Sequence, residues 1–462
     1  MPMAELSLTN QIVREGLPLW RSGFSYSTTY AILRSADIPQ YWKVIRSMTF
    51  TQEGQWPPYT YIVPHIYTKA RVRIVGIGNY APKGIITNEF FAYISTRLGD
   101  PRSAEDLERV TGLSTRHVRA STLALCRRMV GNDAPGLLDD PTAPPDESLV
   151  DMAVIAAQRA IASSGRAVAE IDTVIGTSSS DNDGFPTIAG WVQMHLGLPP
   201  IRATMLKGAC ACQTEAFQVC ADILAAGSAK LVLLVIAEGL LPNIMNVLDW
   251  KASSLFGEGA AALLLELGDE DTYVINGSDA HQAHSLHYQT PLRKDVIEMA
   301  EVDLKMMQLF KEGRGKDLVQ LLTQYMVGYA KMNGKEVYRE APRAMAESVD
   351  VLCRHAGLSH DELVHIVPHQ ANARVTRRLG ELLIHDHGWP DSTMDKLVNN
   401  FRYYGNLSNA SIITALVELL RQGRLQDGQW MALPAVGGGM NYGCWLLRYH
   451  ELQNLAAVIS DE

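Results

Sequence analysis

Ala160–Gly176 reads AIASSGRAVAEIDTVIG, and Val351–Pro368 reads VLCRHAGLSHDELVHIVP. Each is the end of a helix, a glycine turn, an acidic step and a short apolar strand, and Ile171 falls against Leu363. Further along, KLVLLVIAEG (Lys230–Gly239) followed by GEGAAALLLEL (Gly257–Leu267) has the same plan as GQWMALPAVGGG (Gly428–Gly439) followed by YGCWLLRY (Tyr442–Tyr449). Lys230 then falls against Gln429, at nearly the same separation. Two features of one kind at one spacing indicate two related halves.

The elements around these stretches alternate. The pattern predicts a strand at Val72–Ile77, a helix at Ser148–Ser164 with Ser148 as cap, and a strand at Ile171–Thr177. A helix at Thr214–Ala226 and strands at Lys230–Ala237 and Ala260–Leu267 follow. Helices alternating with buried strands define an α/β sheet with helices on its faces. Residues 1–70 are rich in Tyr, Trp, Ser and Thr, have no clean period, and read as an N-terminal extension. The first half then runs 71–270 and the second 271–462. Within the first, 120–147, with GNDAPGLLDDPTAPPDE at its end, reads as a loop or surface insertion.

The chain has 462 residues, 47% of them hydrophobic, which is enough for a large buried core. Its formal net charge of −9 gives nucleic acid or an anionic membrane no general reason to bind. No apolar run has the length of a membrane span, and no signal peptide is legible. The six cysteines therefore read as reduced thiols of a cytoplasmic protein. His281, His284 and His287 fall in a polar loop and receive no role, and no metal site is expected. GIGNYAPKG (Gly76–Gly84) imitates a dinucleotide loop, but Pro82 and Gly84 disfavour the helix that a pyrophosphate requires.

Four segments carry chemistry. In LKGACACQTEAFQVCADILAAG (Leu206–Gly227), Cys210 lies between small residues just before a helix, where the dipole and free N–H groups favour thiolate. In VHIVPHQANARVTRRL (Val364–Leu379), His369 follows a strand, at the C-terminal sheet edge where open α/β proteins build sites. In NNFRYYGNLSNASI (Asn399–Ile412), Asn406 offers an uncharged donor. In LPAVGGGMNYGCWLL (Leu433–Leu447), glycines 437–439 permit close backbone approach. Each has a plain structural alternative: a buried thiol, a satisfied imidazole, an Asn turn, a tight hairpin.

In their order and wording these segments resemble β-ketoacyl-acyl carrier protein synthase III, a condensing enzyme of the thiolase superfamily. The similarity runs from Arg71 to Tyr449. It rests on ACA around Cys210, VPHQAN around His369, YGNLSNAS around Asn406, FGEGAAA from Phe256 and VGGGMNYG from Val436. VTGLSTRHV from Val110 and GFPTIA from Gly184 also fit.

The resemblance implies a thiolase fold, two duplicated βαβαβαββ-type halves in five αβαβα layers. It also implies a ketosynthase that joins an acyl group on Cys210 to a malonyl- or β-ketoacyl-type thioester on acyl carrier protein, in fatty-acid or polyketide biosynthesis. Cys210, His369 and Asn406 would be catalytic, and the N–H groups of Cys210 and Gly438 would form the oxyanion hole. Phe185 would stand in the substrate channel or a dimer contact. Arg374, Arg377 and Arg378, on one helix face, would dock the carrier. No cofactor is implied, and a homodimer is expected. The tryptophan usual upstream of TGL has no counterpart in SAEDLERVTGL, which favours a carrier-bound over a coenzyme A donor. The competing readings are transfer to an alcohol or amine acceptor without condensation, and a catalytically silent partner subunit.

Overall fold

In the computed structural model the described residues are 68–181, 184–241, 244–288, 296–324 and 329–459. The expected extension lies outside them, apart from its last three residues, which open the first strand. Eight strands form the main sheet: β1 Thr68–Tyr80, β2 Thr173–Ser178, β3 Arg202–Lys207, β4 Leu231–Gly239, β5 Glu258–Ser278, β6 Leu363–Ile366, β7 Trp430–Gly437 and β8 Asn441–Arg448. Their order is β6-β7-β8-β5-β4-β2-β3, with β1 also paired to β5.

The duplication shows in the pairing. β2 runs parallel to β4, and β4 antiparallel to β5; β6 runs parallel to β7, and β7 antiparallel to β8. β2 thus corresponds to β6 and β4 to β7, the matches indicated by Ile171 with Leu363 and Lys230 with Gln429. The boundary expected at 270/271 is corrected, because it falls inside β5. Val72 faces Leu267 and Ala70 faces Thr272 across the ladder, so Gly268–Asp271 bulge out of one continuous strand. GDED reads as a turn, but both flanks pair with the same β1, and the strand carries the four residues as an irregularity.

Five layers follow from which face each residue buries. The outer face of the first half packs on α1 (Leu149–Ser164) and α2 (Ile188–His195), through Met152, Ala156, Val192, Leu233 and Leu264. Between the halves lie α3 (Cys212–Ala225), which brings Phe217 and Leu224, and a partner helix after residue 410. These meet Leu234 from one side and Leu433 and Trp445 from the other. The outer face of the second half carries α4 (Gly334–Ala356) and α5 (Ala373–His387), through Met345, Leu352 and Leu379. The middle partner is α6 (Ser411–Arg421), with Ile412, Ile413 and Leu416 buried. β4 reads as an apolar run because it is buried at all nine positions.

Ser148 caps α1 as expected, and Asp151 completes a capping box. The glycines of GIGNYAPKG serve this helix. A Cβ at Gly76 would lie 2.1 Å from the carbonyl oxygen of Ala160, and one at Gly78 would lie 2.4 Å from that of Ala156. The motif is a seat for a helix, and no helix follows it directly.

The insertion reading of 120–147 is corrected in part. Ala120–Val130 is a helix that buries Leu123, Cys126, Met129 and Val130, a helical spacing hidden by the Gly- and Pro-rich stretch behind it. The buried Glu258 of FGEGAAA anchors its start, accepting from Arg119 N at 2.7 Å and Thr122 Oγ1 at 2.9 Å, beside the Arg119 guanidinium. This helix joins Phe90, Leu248 and Phe310 in a separate apolar cluster. Among the described residues no helix is long and apolar enough to cross a membrane.

Gly76→Val should destabilise the chain by about 1–3 kcal/mol or more, through overpacking against α1. Gly334→Ala, which meets nothing within 4 Å, should stay within about 0.5 kcal/mol. Urea unfolding of the two variants would check the contrast.

Candidate active site

Cys210 lies in the turn between β3 and α3. The helix starts at Cys212, two residues earlier than the sequence predicts, and Cys212 N donates to Ala209 O at 2.7 Å. Against this turn stands the end of β7. A Cβ on Gly437 would come within 2.7 Å of Ala211 N and 2.9 Å of Cys210 N, so only glycine fits. β7 and β8 then form a hairpin across Gly438–Met440, with Gly439 at φ 75° and Met440 at φ 52°. The hairpin reading and the close-approach reading of the glycine run both hold.

His369 is placed by the same strand. Val367 N donates to Ala432 O and His369 N to Pro434 O, both at 2.8 Å. Pro434 is three residues before Gly437, so the His369 backbone is held by the same strand whose end meets the Cys210 turn. The rest of VPHQAN is support: Gln370 Nε2 donates to the carbonyls of Pro368 and Val398, and the Asn372 side chain caps α5.

Asn406 is held by an isolated bridge to Phe256, with its N–H on Leu255 O at 2.8 Å. Its side-chain oxygen accepts from Ser408 N at 2.8 Å, which leaves its amide nitrogen free of that bond. Ser408, held at φ 48°, sends its hydroxyl to Cys210 Sγ at 3.3 Å. Thiol, carboxamide turn and glycine hairpin thus meet. Cys210, Ser408, Gly438 and Phe256 line one cavity of about 360 Å³, with an apolar side that includes Leu240 and Met245.

Electrostatics correct one expectation. The Cys210 thiol is not lowered as its place before α3 suggests; burial pushes it up to about 12. The Ser408 hydroxyl works against that shift and the charge of Glu238 adds to it. Burial also pushes His369 down to about 3, so the ring is neutral in use. Its Nδ1 is buried without a hydrogen-bond partner among the described residues.

Other placements differ from expectation. Phe185 is 93% exposed and does not line the cavity. It precedes Thr187, the cap of α2, on the outside of the turn, so within this chain neither channel nor core holds it. Arg377 and Arg378 both bind Glu381 at 3.1 Å, which spends much of the expected basic patch. Arg374 instead lies over the Tyr338 ring at 5.2 Å. Among the described residues no cluster of His, Cys, Asp or Glu could hold a metal ion.

Sequence reasoning missed four groups. His287 and Lys207 line the cavity, and the buried Glu238 and Asn409 stand behind it. A carboxylate closing the apolar run LVLLVIAEG was the legible signal for Glu238; the imidazole of His287 had none.

A duplicated α/β sheet with a thiol between its halves, beside a glycine hairpin, defines an acyl-thioester enzyme of the thiolase fold. Residues 206–283 match the family described as 3-oxoacyl-[acyl-carrier-protein (ACP)] synthase III, and residues 353–449 match its C-terminal counterpart. The chain is 30% identical over 380 residues to the beta-ketoacyl-[acyl-carrier-protein] synthase III of Xylella fastidiosa, covering 82% of this chain and 98% of that protein. It is 29% identical over 387 residues to the same enzyme of a Ruegeria species, covering 82% and 99%. The crystal structure of 3-oxoacyl-(acyl carrier protein) synthase III from Pseudomonas aeruginosa PAO1 matches at a TM-score of 0.64 and 26% identity, covering 83% of this chain and 99% of that one. The chain belongs to the β-ketoacyl-acyl carrier protein synthase III family and is an acyl-transferring condensing enzyme.

Because His369 resists protonation when folded but not when unfolded, the unfolded state binds the extra proton as pH falls. Stability should therefore drop with pH from about 6.5 towards about 3, by up to roughly 1.4 kcal/mol per unit. His369→Asn should flatten that dependence, read from urea unfolding at a series of pH values.

Proposed function

We propose that Cys210 takes an acyl group from a thioester and that His369 and Asn406 direct its condensation with a malonyl-type unit on acyl carrier protein. The observation that carries this reading is the Cys210 sulfur at a cavity of about 360 Å³, hydrogen-bonded by Ser408 two residues after Asn406 and beside Gly438. The acyl enzyme divides one hard step into two easier ones. The malonyl unit loses CO₂, and the electron pair of that C–C bond becomes an enolate. Two uncharged donors, the imidazole N–H of His369 and the amide of Asn406, then face the enolate oxygen. The neutral ring suits this role, since it keeps one N–H to donate and adds no charge. The carbanion attacks the acyl carbonyl, whose oxygen faces the N–H groups of Cys210 and Gly438, and the thiolate of Cys210 leaves.

The reaction so written needs no cofactor. The setting is fatty-acid or polyketide biosynthesis in the cytoplasm, with acyl carrier protein as partner. A homodimer would cover the exposed Phe185, which we place at the contact between copies. Among the described residues Arg377 and Arg378 bind a carboxylate whereas Arg374 lies on the Tyr338 ring, and we assign carrier docking chiefly to Arg374. Residues 1–70 and the 131–147 loop receive no role.

Cys210→Ala should abolish the acyl-enzyme adduct in intact-protein mass spectrometry across carrier-bound and coenzyme A-bound donors. An adduct of normal mass would remove the nucleophile assignment. Asn406→Ala should still acylate Cys210 but release no CO₂-dependent condensation product, with losses of about 10²-fold or more. Transfer to an alcohol or amine without CO₂ release would favour the non-condensing reading instead. Arg374→Glu should raise the apparent KM for carrier-bound substrate at low salt, with the difference fading as salt screens it. Identical KM values at both salts would dismiss the docking role.

A further inference from the structure

Glu238 ends the apolar strand β4 and is fully buried. Such a group needs strong compensation to remain charged. Its described partners are all neutral: it accepts from Ser179 N at 3.0 Å, Ser179 Oγ at 2.8 Å, Ser180 Oγ at 2.8 Å and Asn409 Nδ2 at 2.6 Å. The titratable groups that feel its charge are the thiols of Cys210 and Cys212. The condensation steps above leave this carboxylate without a task.

A line of oxygen atoms connects it to the nucleophile. Glu238 Oε2 is 2.8 Å from Ser179 Oγ, which is 3.0 Å from Ser408 Oγ, which is 3.3 Å from Cys210 Sγ. Ser179 and Ser408 come from different halves of the chain. Ser408 is held in a left-handed conformation that a non-glycine residue rarely adopts, the kind of strain that accumulates at functional sites.

We propose that these hydroxyls form a proton relay and that Glu238, rather than His369, receives the Cys210 proton when the thiol is acylated. The inference rests on the assignment of Cys210 as nucleophile. The Ser408 hydroxyl, which donates to Sγ at rest, first turns to Ser179; the S–H proton then passes to Ser408, the Ser408 proton to Ser179, and the Ser179 proton to Glu238 Oε2. One S–H and two O–H bonds break and three O–H bonds form. The sulfur pair attacks the thioester carbonyl, and the departing donor thiolate takes a proton from solvent. When condensation frees Cys210 as thiolate, the proton on Glu238 returns by the same path. The cycle consumes one proton, as decarboxylative condensation of a malonyl carboxylate requires.

Charge conservation favours this route. One negative charge is present before transfer, on Glu238, and one after it, on Sγ. Transfer to His369 would instead leave thiolate, imidazolium and carboxylate together in a buried site, where creating charge is costly. Burial makes His369 a weak base and raises the affinity of Glu238 for a proton.

The test is alkylation of full-length protein with iodoacetamide, with the Cys210 peptide quantified by mass spectrometry over a range of pH. The relayed form holds as many protons as the resting site, so wild-type Cys210 should react at a rate nearly flat across neutral pH. Glu238→Gln, Ser179→Ala and Ser408→Ala should each slow it on the order of 10² or more near neutrality. Their rates should then climb about tenfold per pH unit as free thiolate appears. Glu238→Gln reacting as fast as wild type, or faster, would overturn the relay, since loss of a merely repelling charge favours thiolate. A uniform loss at every pH would overturn it too, as the mark of a structural role. Should Glu238→Gln not fold, the smaller Ser179→Ala truncation reads the same profile. Wild-type Cys210 inert at all pH values would sink the nucleophile reading and the relay with it; a reactive wild type with unshifted variants sinks the relay alone.

Discussion

The contact between Gly437 and the backbone of Cys210 and Ala211 is the constraint on which the site depends. It brings the last turn of the second half's hairpin onto the Cys210 turn of the first half, at a separation that admits no side chain. The strand that ends in Gly437 is also the one that holds the His369 backbone through Pro434, so one rigid element positions both the hairpin and the His369 segment. The eight-residue register of β7 with β8, from Trp430 against Arg448 to Gly437 against Asn441, supplies the rigidity. A slip of one residue there would turn every side chain of β7 to the other face and carry Gly437 away from the turn.

Burial then decides the protonation states. A helix terminus contributes about 0.3–1 kcal/mol, rarely 2, to a nearby charge. Full desolvation shifts a titratable group by as much as about 3–5 pKa units, several times that energy. The dipole of α3 is therefore outweighed at Cys210, and the resting pair is thiol and neutral imidazole. In the mechanism we propose, a neutral imidazole is an advantage for the second half-reaction, where a donor to an enolate oxygen is wanted and an added cation is not. The thiol proton of the first half-reaction then needs another acceptor, the role we propose for the buried carboxylate behind Ser179 and Ser408.

Much of this was legible in the sequence because it is periodic or local. β4, α1 with its Ser148 cap, and the pairing of the two halves follow from burial patterns that repeat. The chemical segments were legible because a thiol, an imidazole and a carboxamide each sit beside a turn in a distinctive local sequence. What was not legible is set by distant contacts. The Ala120–Val130 helix starts where Glu258, far along the chain, receives Arg119 and Thr122. β5 stays one strand across GDED because β1 pairs with both its flanks. Arg377 and Arg378 share a helix face as expected, but so does Glu381, whose carboxylate holds both. The exposure of Phe185 depends on which side of the α2 cap the chain turns, and composition carries no such information.

The walls of the cavity suggest how catalysis and substrate choice are separated in this fold. Cys210, Ser408 and Gly438 stand at strand and helix ends of the duplicated core, and the clusters beneath them are packed from both halves. Leu240, Ile244, Met245, Phe256 and Ala330 belong to a different cluster, built with the helix Ala120–Val130 and with Met306, Phe310, Leu318 and Leu322. His287 and Tyr288 add a polar edge from the segment between them. Distant, separately packed sites contribute nearly independently to stability. Changes at Leu240, Ile244, Met245 or Ala330 can therefore reshape that wall, while Phe256, bridged to Asn406, is tied to the strand ends that hold the thiol. Chemistry that is fixed by one glycine contact, and a pocket that is shaped by another core, can vary at different rates within one chain.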